Sequence, residues 1–447
     1  MASTVDDSMP ARIPKDCPDD VRDVLYTAWS HDLSDLKKIL KTRDDASKAQ
    51  DPTTGETPLH AAIRACGVRE PSTRKDDENA ASEDEDDEDD GPVGEAKETM
   101  EALFNAGAIW NDVDSNNETP GCVALRLGRK GLYRLCVDAG FRAELLLAVL
   151  DEYEELPSEE EDAGDDDAEE EKTDANDQDE ELAGVETHAS EQVEAAAANA
   201  RFFPPDADEK NIMSQDYLKS NLTYDGDKLL DADLNGVMMA WETDIMEKSV
   251  QALLPGQATG KRILNIGFGM GIIDGMFAAR NPAKHHIIEA HPAVLEHIAK
   301  PESKFGAKWE ESGPEPGAFK VHKGRWQDVV PTLMDEGEVY DAIYFDTFGE
   351  DYSELRRFFT DMIPGILDFE GRFSFFNGLG ADRQVCYDVY RHVLEVHTEE
   401  AGLDIEWNVH DVDMGQLDAA GKGDWEGVRR RYWTLKKYWL PTLTNMG

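Results

Sequence analysis

The chain has 447 residues and a formal net charge of −51, with 96 Asp and Glu against 45 Lys and Arg. That length allows two or three domains and an ample core. The acidic balance leaves no basic face to offset phosphate repulsion, which disfavours direct nucleic-acid binding and suits a basic partner instead.

The five cysteines, Cys17, Cys66, Cys122, Cys136 and Cys386, form no CxxC pair and no His/Cys cluster. Neither a zinc site nor a disulfide framework is expected, and a reducing compartment fits. The start of the chain is polar and acidic, and no apolar run approaches the ~18 residues that cross a bilayer. The expectation is a cytoplasmic protein, with nuclear presence allowed, no membrane partner and no self-complementary apolar face, hence a monomer.

Residues 1–20 are expected to be disordered, and 21–151 to form a small all-α region. There, Thr57-Pro58-Leu59-His60-Ala61-Ala62 follows Gly55-Glu56 and opens an apolar helix. Threonine can cap that helix and proline suits its first turn. The segment resembles the start of an ankyrin repeat. A second, degraded copy lies at Glu118-Thr119-Pro120-Gly121-Cys122-Val123-Ala124-Leu125, without the Leu-His of the motif, and Gly131–Gly140 reads as its outer helix and glycine stop. Thr57 and Thr119 are 62 positions apart, against ~33 for one repeat. The excess matches an acidic insert at about residues 70–97. Within it, residues 71–97 hold 12 acids against three bases. Residues 152–200 are read as an acidic disordered linker, since residues 151–200 hold 22 Asp and Glu against one Lys and too little apolar surface to order themselves.

From 201 to 447 strand-like and helix-like stretches alternate. The predicted strands are Arg262–Ile266, His286–Glu289, Phe319–His322, Tyr340–Phe345 and Arg372–Phe376. The predicted helices are Gly271–Arg280, Ala293–Lys300, Trp326–Met334, Tyr352–Leu367 and Gln384–Glu395. Such alternation predicts an α/β, Rossmann-like domain with a mainly parallel sheet covered on both faces. Ligands in such a sheet bind at the carboxyl ends of the strands. The first strand runs into Gly267-Phe268-Gly269-Met270-Gly271-Ile272, and the second ends at Glu289, 22 positions after Gly267. Glycines there let the backbone approach an adenosine cofactor, and the acid accepts from ribose hydroxyls. No base lies near the first helix to meet a pyrophosphate, so S-adenosylmethionine, a sulfonium without phosphate, is favoured over a dinucleotide.

Several motifs in order over residues 210–445 resemble guanidinoacetate methyltransferases. They are Val237–Met246, Gly267-Phe268-Gly269-Met270, Ile287-Ile288-Glu289, Gly324-x-Trp326-x-Asp328-Val329 and Tyr344-x-Asp346-Thr347. With ankyrin-like repeats and an acidic linker in front, the chain resembles the fungal type IV protein arginine methyltransferases. That resemblance implies monomethylation of the internal (δ) guanidino nitrogen of arginine, with a ribosomal protein as the substrate class. It assigns Gly267, Phe268, Gly269, Met270, Gly271 and Ile272 to the methionine and adenosyl cradle, and Glu289 to the ribose. Ala290 and His291 would flank the adenosine, Arg325 and Trp326 would border the adenine, and Tyr217 and Met246 would close over the cofactor.

The resemblance also makes Glu242 and Asp346 the carboxylates that grip the guanidino group. Guanidinium is a planar, forked cation that stays protonated at neutral pH. Two carboxylates can hold it and take a proton as the methyl arrives. Asp346 is expected to be the base and Glu242 the clamp. Tyr432, Trp433, Tyr438 and Trp439 read most simply as aromatic packing around a late strand, with walls of a substrate entry as the alternative.

No Thr-His-Trp motif and no paired-glutamate loop is present, which argues against methylation of terminal nitrogens. The alternatives are a small-molecule guanidino methyltransferase, an ankyrin scaffold carrying an inactive methyltransferase fold, and a nicotinamide-dependent oxidoreductase.

Overall fold

The computed structural model describes residues 5–69, 91–154, 214–417 and 423–447. Of the linker expected at 152–200, residues 155–200 lie outside the described residues, as do residues 70–90 of the acidic insert, while residues 152–154 continue the helix Lys130–Glu154.

The first region is helical: α1 (Met9–Arg12), α2 (Asp19–Trp29), α3 (Leu33–Thr42), α4 (Pro58–Ala65), α5 (Gly91–Asn105), α6 (Pro120–Arg126) and α7 (Lys130–Glu154). Thr57 caps α4 by accepting from the His60 amide, Thr119 caps α6 by accepting from the Cys122 amide, and a proline follows each. Helices α2, α4 and α6 stack in one layer, while α3, α5 and α7 stack in a second.

Two expectations are corrected here. Residues 5–20 are ordered, because Ile13 and Cys17 are buried against Leu25, Ala28 and Ala61. Buried Arg12 also pairs with Asp114 and Glu56, beside Arg64, which bonds Asp114 at 2.6 Å and Asp7 at 2.8 Å. The insert is shorter than expected, since residues 91–97 already belong to α5 and bury Val93 and Ala96.

A three-stranded antiparallel sheet follows: β1 (Thr223–Asp225), β2 (Lys228–Leu230) and β3 (Gly236–Met239). Helix α8 (Thr243–Leu253) leads to the main sheet. That sheet holds β4 (Arg262–Ile266), β5 (Lys284–Glu289), β6 (Phe319–Lys323), β7 (Tyr340–Phe345), β8 (Leu367–Phe375), β9 (Leu403–Asp411) and β10 (Lys437–Asn445). The order is β6-β5-β4-β7-β8-β10-β9. Pairs from β6 through β8 are parallel, whereas β10 runs antiparallel to both β8 and β9. The sheet is therefore mixed. Strand β9 alternates exposed and half-buried positions, the pattern an antiparallel edge tolerates because one face can meet water.

Side-chain alternation sorts the sheet's two cores. Leu264, Ile266, Ile343 and Phe345 pack under α11 (Trp326–Asp335), while Ile263, Ile287, Ala342 and Tyr344 pack with α8, α9 (Ile272–Ala278) and α10 (Pro292–Ile298). The expected helix 352–367 is broken: α12 (Tyr352–Arg357) gives way to a π-helical turn at Phe358–Met362. Helix α13 (Gln384–Glu400) then lies between the sheet and α7.

Candidate active site

The carboxyl ends of β4, β5 and β7 open onto a cavity of about 280 Å³. β4 and β7 are adjacent parallel strands, so the glycine turn after Ile266 meets Asp346 directly. Gly267 sits at φ +90, and a Cβ there would stand 1.9 Å from the Asp346 carbonyl oxygen. Gly271 is left-handed at φ +71, and its Cβ would strike the Phe268 ring at 2.4 Å. Both glycines are thus required by protein against protein. Gly267 and Gly269 also line the cavity, where the sequence leads one to expect the approach of a ligand.

Among the residues assigned from sequence, the cavity brings together Tyr217, Glu242, Gly267, Gly269, Glu289, Ala290, Arg325, Trp326 and Asp346. Six others are not among its lining residues. Met246 is fully buried in the core beside Val250, Leu253 and Phe277, facing away because α8 turns that side to the sheet. Phe268 is buried against Phe305, while Met270, Gly271 and Ile272 form the turn behind the wall. His291 is buried, and its Nε2 bonds the Tyr217 carbonyl at 3.0 Å while Nδ1 accepts from the Ala293 amide at 3.1 Å. It holds Tyr217 in place, with the rings 4.7 Å apart.

Glu289 accepts from the Phe268 amide at 2.9 Å and the His291 amide at 2.6 Å. Burial pushes its carboxyl up, opposed by those amides. Glu242 is fixed through Oε1, which accepts from the Met239 amide at 3.1 Å and from the Tyr432 hydroxyl, itself held by the Trp241 indole N–H at 3.1 Å. Asp346 Oδ2 is buried with no partner, an orphaned acceptor that calls for a donor. Burial raises both acids, and for Glu242 the nearby Asp346 charge raises it further. Like charges sharing one site disfavour each other's ionisation, which a bound cation would relieve.

Residues not assigned from sequence complete the wall: Met238, Gln327, Thr347, Phe348, Glu350, Tyr352 and Tyr432 among them. The Met238 sulfur accepts from the Met270 amide at 3.2 Å. Glu350 accepts from the Trp326 indole N–H at 3.0 Å, Gln327 Nε2 at 2.9 Å and the Thr347 hydroxyl at 2.8 Å, tying the Arg325-Trp326 wall to the strand end that carries Asp346. Tyr432 meets Glu242 across 190 positions of chain, and no local pattern marks such a meeting. Glu350, four residues beyond Asp346, was in principle legible.

Five carboxylates line the cavity, Glu242, Glu289, Asp346, Glu350 and Asp351, against one base, Arg325. That set fits a sulfonium and a guanidinium and would repel a pyrophosphate. Among the described residues no cluster of His, Cys, Asp and Glu could hold a metal ion.

A family model for guanidinoacetate N-methyltransferase matches residues 211–368. Over the longer chain, protein arginine N-methyltransferase 2 of Gibberella zeae is 63% identical across 97% of this chain and 94% of its own. The Neurospora crassa protein of that name is 55% identical across 99% of each, and that of Saccharomyces cerevisiae is 36% identical across 91% of this chain and 86% of its own. Among solved structures, a putative SAM-dependent methyltransferase from Streptococcus mutans aligns with 50% of this chain and 55% of its own, at 11% identity and a TM-score of 0.31.

Proposed function

The chain belongs to the fungal protein arginine N-methyltransferase 2 family, and from that premise we propose that it transfers one methyl group from S-adenosylmethionine to the internal δ nitrogen of an arginine in a basic protein, of which a ribosomal protein is the proposed class. The single observation that carries this reading is the meeting of Glu242 and Asp346 in one acidic cavity lined also by Glu289.

S-adenosylmethionine supplies an electrophilic methyl on its sulfonium. Gly267, Gly269, Glu289, Ala290, Arg325 and Trp326 would hold the cofactor, with Glu289 at the ribose and Tyr217 above it. Glu242, with Oε1 locked by Tyr432 and Met239, leaves Oε2 to accept from the arginine fork. Asp346, lacking a partner at Oδ2, accepts a second N–H and takes the proton as the nitrogen attacks. Positioning of a guanidinium that is otherwise a poor nucleophile provides much of the rate. The helical region is read as ankyrin-like repeats, supported by the matching Thr57 and Thr119 caps and the two-layer stack.

The family-model match at 211–368 favours one second reading, a small-molecule guanidino methyltransferase. The two are separated by incubating the protein with labelled S-adenosylmethionine and either basic ribosomal proteins or free guanidinoacetate, then fragmenting the product in the mass spectrometer. Label on the internal nitrogen of a protein arginine is expected. Label confined to terminal nitrogens, or to guanidinoacetate, overturns the proposal.

A further inference from the structure

The helical region and the methyltransferase domain share one hydrophobic core. Val385, Val389 and Val393 of α13 are buried in the same cluster as Val123, Leu132 and Trp110. The approach is close enough to exclude side chains. A Cβ on Gly121 would lie 2.6 Å from Val385 Cγ2, and one on Gly140 would lie 2.7 Å from Val389 Cγ2. Gly121 is one of the two positions where the second repeat copy departs from its motif, and at Gly121 the departure leaves the space that Val385 of α13 occupies. Polar ties flank the contact. The Tyr133 hydroxyl donates to Asp388 at 2.5 Å, the Tyr390 hydroxyl to Glu144 at 3.1 Å, and Arg383 to Asn117 Oδ1 at 2.7 Å.

Helix α13 reaches the cavity by two routes. Tyr352, a lining residue, stacks on His397 and hydrogen-bonds its Nδ1 at 2.7 Å, and its ring lies 5.5 Å from that of Tyr390. Gly378 and Leu379, also lining residues, begin the loop that ends at Arg383, the residue held by Asn117.

We propose that the helical region is a positioning element of the methyl-transfer cavity: by gripping α13 it fixes Tyr352 and the 378–383 loop in the cavity wall. Packing that leaves no room for one methyl group transmits displacement instead of absorbing it. This inference rests on the methyltransferase reading above, and its test includes a readout that does not.

The experiment compares the full chain with Gly121→Ala and with Gly121→Ala combined with Val385→Ala, which returns the space. Three measurements are made: hydrogen exchange at residues 378–383, S-adenosylmethionine affinity by calorimetry, and steady-state kinetics (kcat and KM) on a short arginine peptide that cannot span both domains. In Gly121→Ala, exchange at 378–383 is expected to quicken and kcat to fall at least tenfold, with cofactor affinity within threefold; the double variant restores both. Tyr133→Phe, which adds no bulk, should move the same quantities in the same direction by less, and serves if Gly121→Ala does not fold. Unchanged exchange at 378–383 overturns the proposal. So does an unchanged kcat on the peptide beside a raised KM for whole protein substrate, since the region would then be a docking arm only. If the unaltered protein methylates neither the peptide nor whole basic proteins, the functional reading fails, and the exchange result still decides the mechanical one; if it methylates whole protein alone, kcat is read on that substrate.

Discussion

Glu242 and Asp346 are both pushed above the ordinary carboxylate range by burial, so in the proposed role an arriving guanidinium would displace protons held by the free site. Asp346→Asn keeps the shape of the side chain but cannot accept a proton. It should lower kcat by about 10²–10⁴-fold while S-adenosylmethionine still binds, as calorimetry would register; retained turnover would remove Asp346 from its role. Both acids must ionise to grip a cation, so kcat/KM should climb as pH rises through their raised values. Tyr432→Phe removes a donor that favours ionised Glu242. Its carboxyl then rises further, and the acid limb of the kcat/KM profile should move to higher pH; a limb that stays put or moves lower contradicts this account. The acids themselves were legible in the sequence, through motif resemblance and the chemistry of guanidinium. Tyr432 was not, because nothing in its own neighbourhood distinguishes a packing tyrosine from one aimed at a carboxylate.

At the scale of elements, the glycine turn joins β4 to α9 and presses on the end of β7. Gly267→Ala faces a backbone oxygen 1.9 Å from its new Cβ at a positive φ, and backbone cannot move aside as a flexible side chain could. A loss of more than about 2 kcal/mol of stability is expected, read as a lowered midpoint of thermal unfolding. A change of less than a degree would mean that the turn is looser than described. Predicted strands and helices around this turn match the observed ones closely, since fully buried parallel strands write near-continuous apolar runs into the sequence. Less visible were the antiparallel strands β9 and β10, where exposed positions dilute the pattern, and the π-helical break after α12, which the apolar spacing of residues 352–367 does not announce.

Across the whole molecule, the first residues of the chain are part of the helical region's ionic core. Arg12 and Arg64 sit among Asp114 and Glu56 with almost no access to water. Arg12→Met would leave those acids short of one cation, which costs about 3–5 kcal/mol for a buried pair broken on one side. Denaturant unfolding should reveal it, whereas Lys38→Ala, which unpairs the exposed Asp35, should leave the midpoint unchanged; equal effects of the two would show that burial is not what matters. The polar composition of residues 1–20 had suggested disorder, because composition counts charges and cannot see that distant ones will pair. By itself the sequence determined the order of helices and strands, the glycine turn, the acids at the strand ends and the class of cofactor, since each is written in neighbouring residues with a fixed period. Only the tertiary structure decided that Tyr432 holds Glu242, that Met246 faces the core, that Arg12 is buried and that α13 welds the two regions together. Those outcomes depend on which strands lie side by side and how closely helices approach, and no local spacing encodes either.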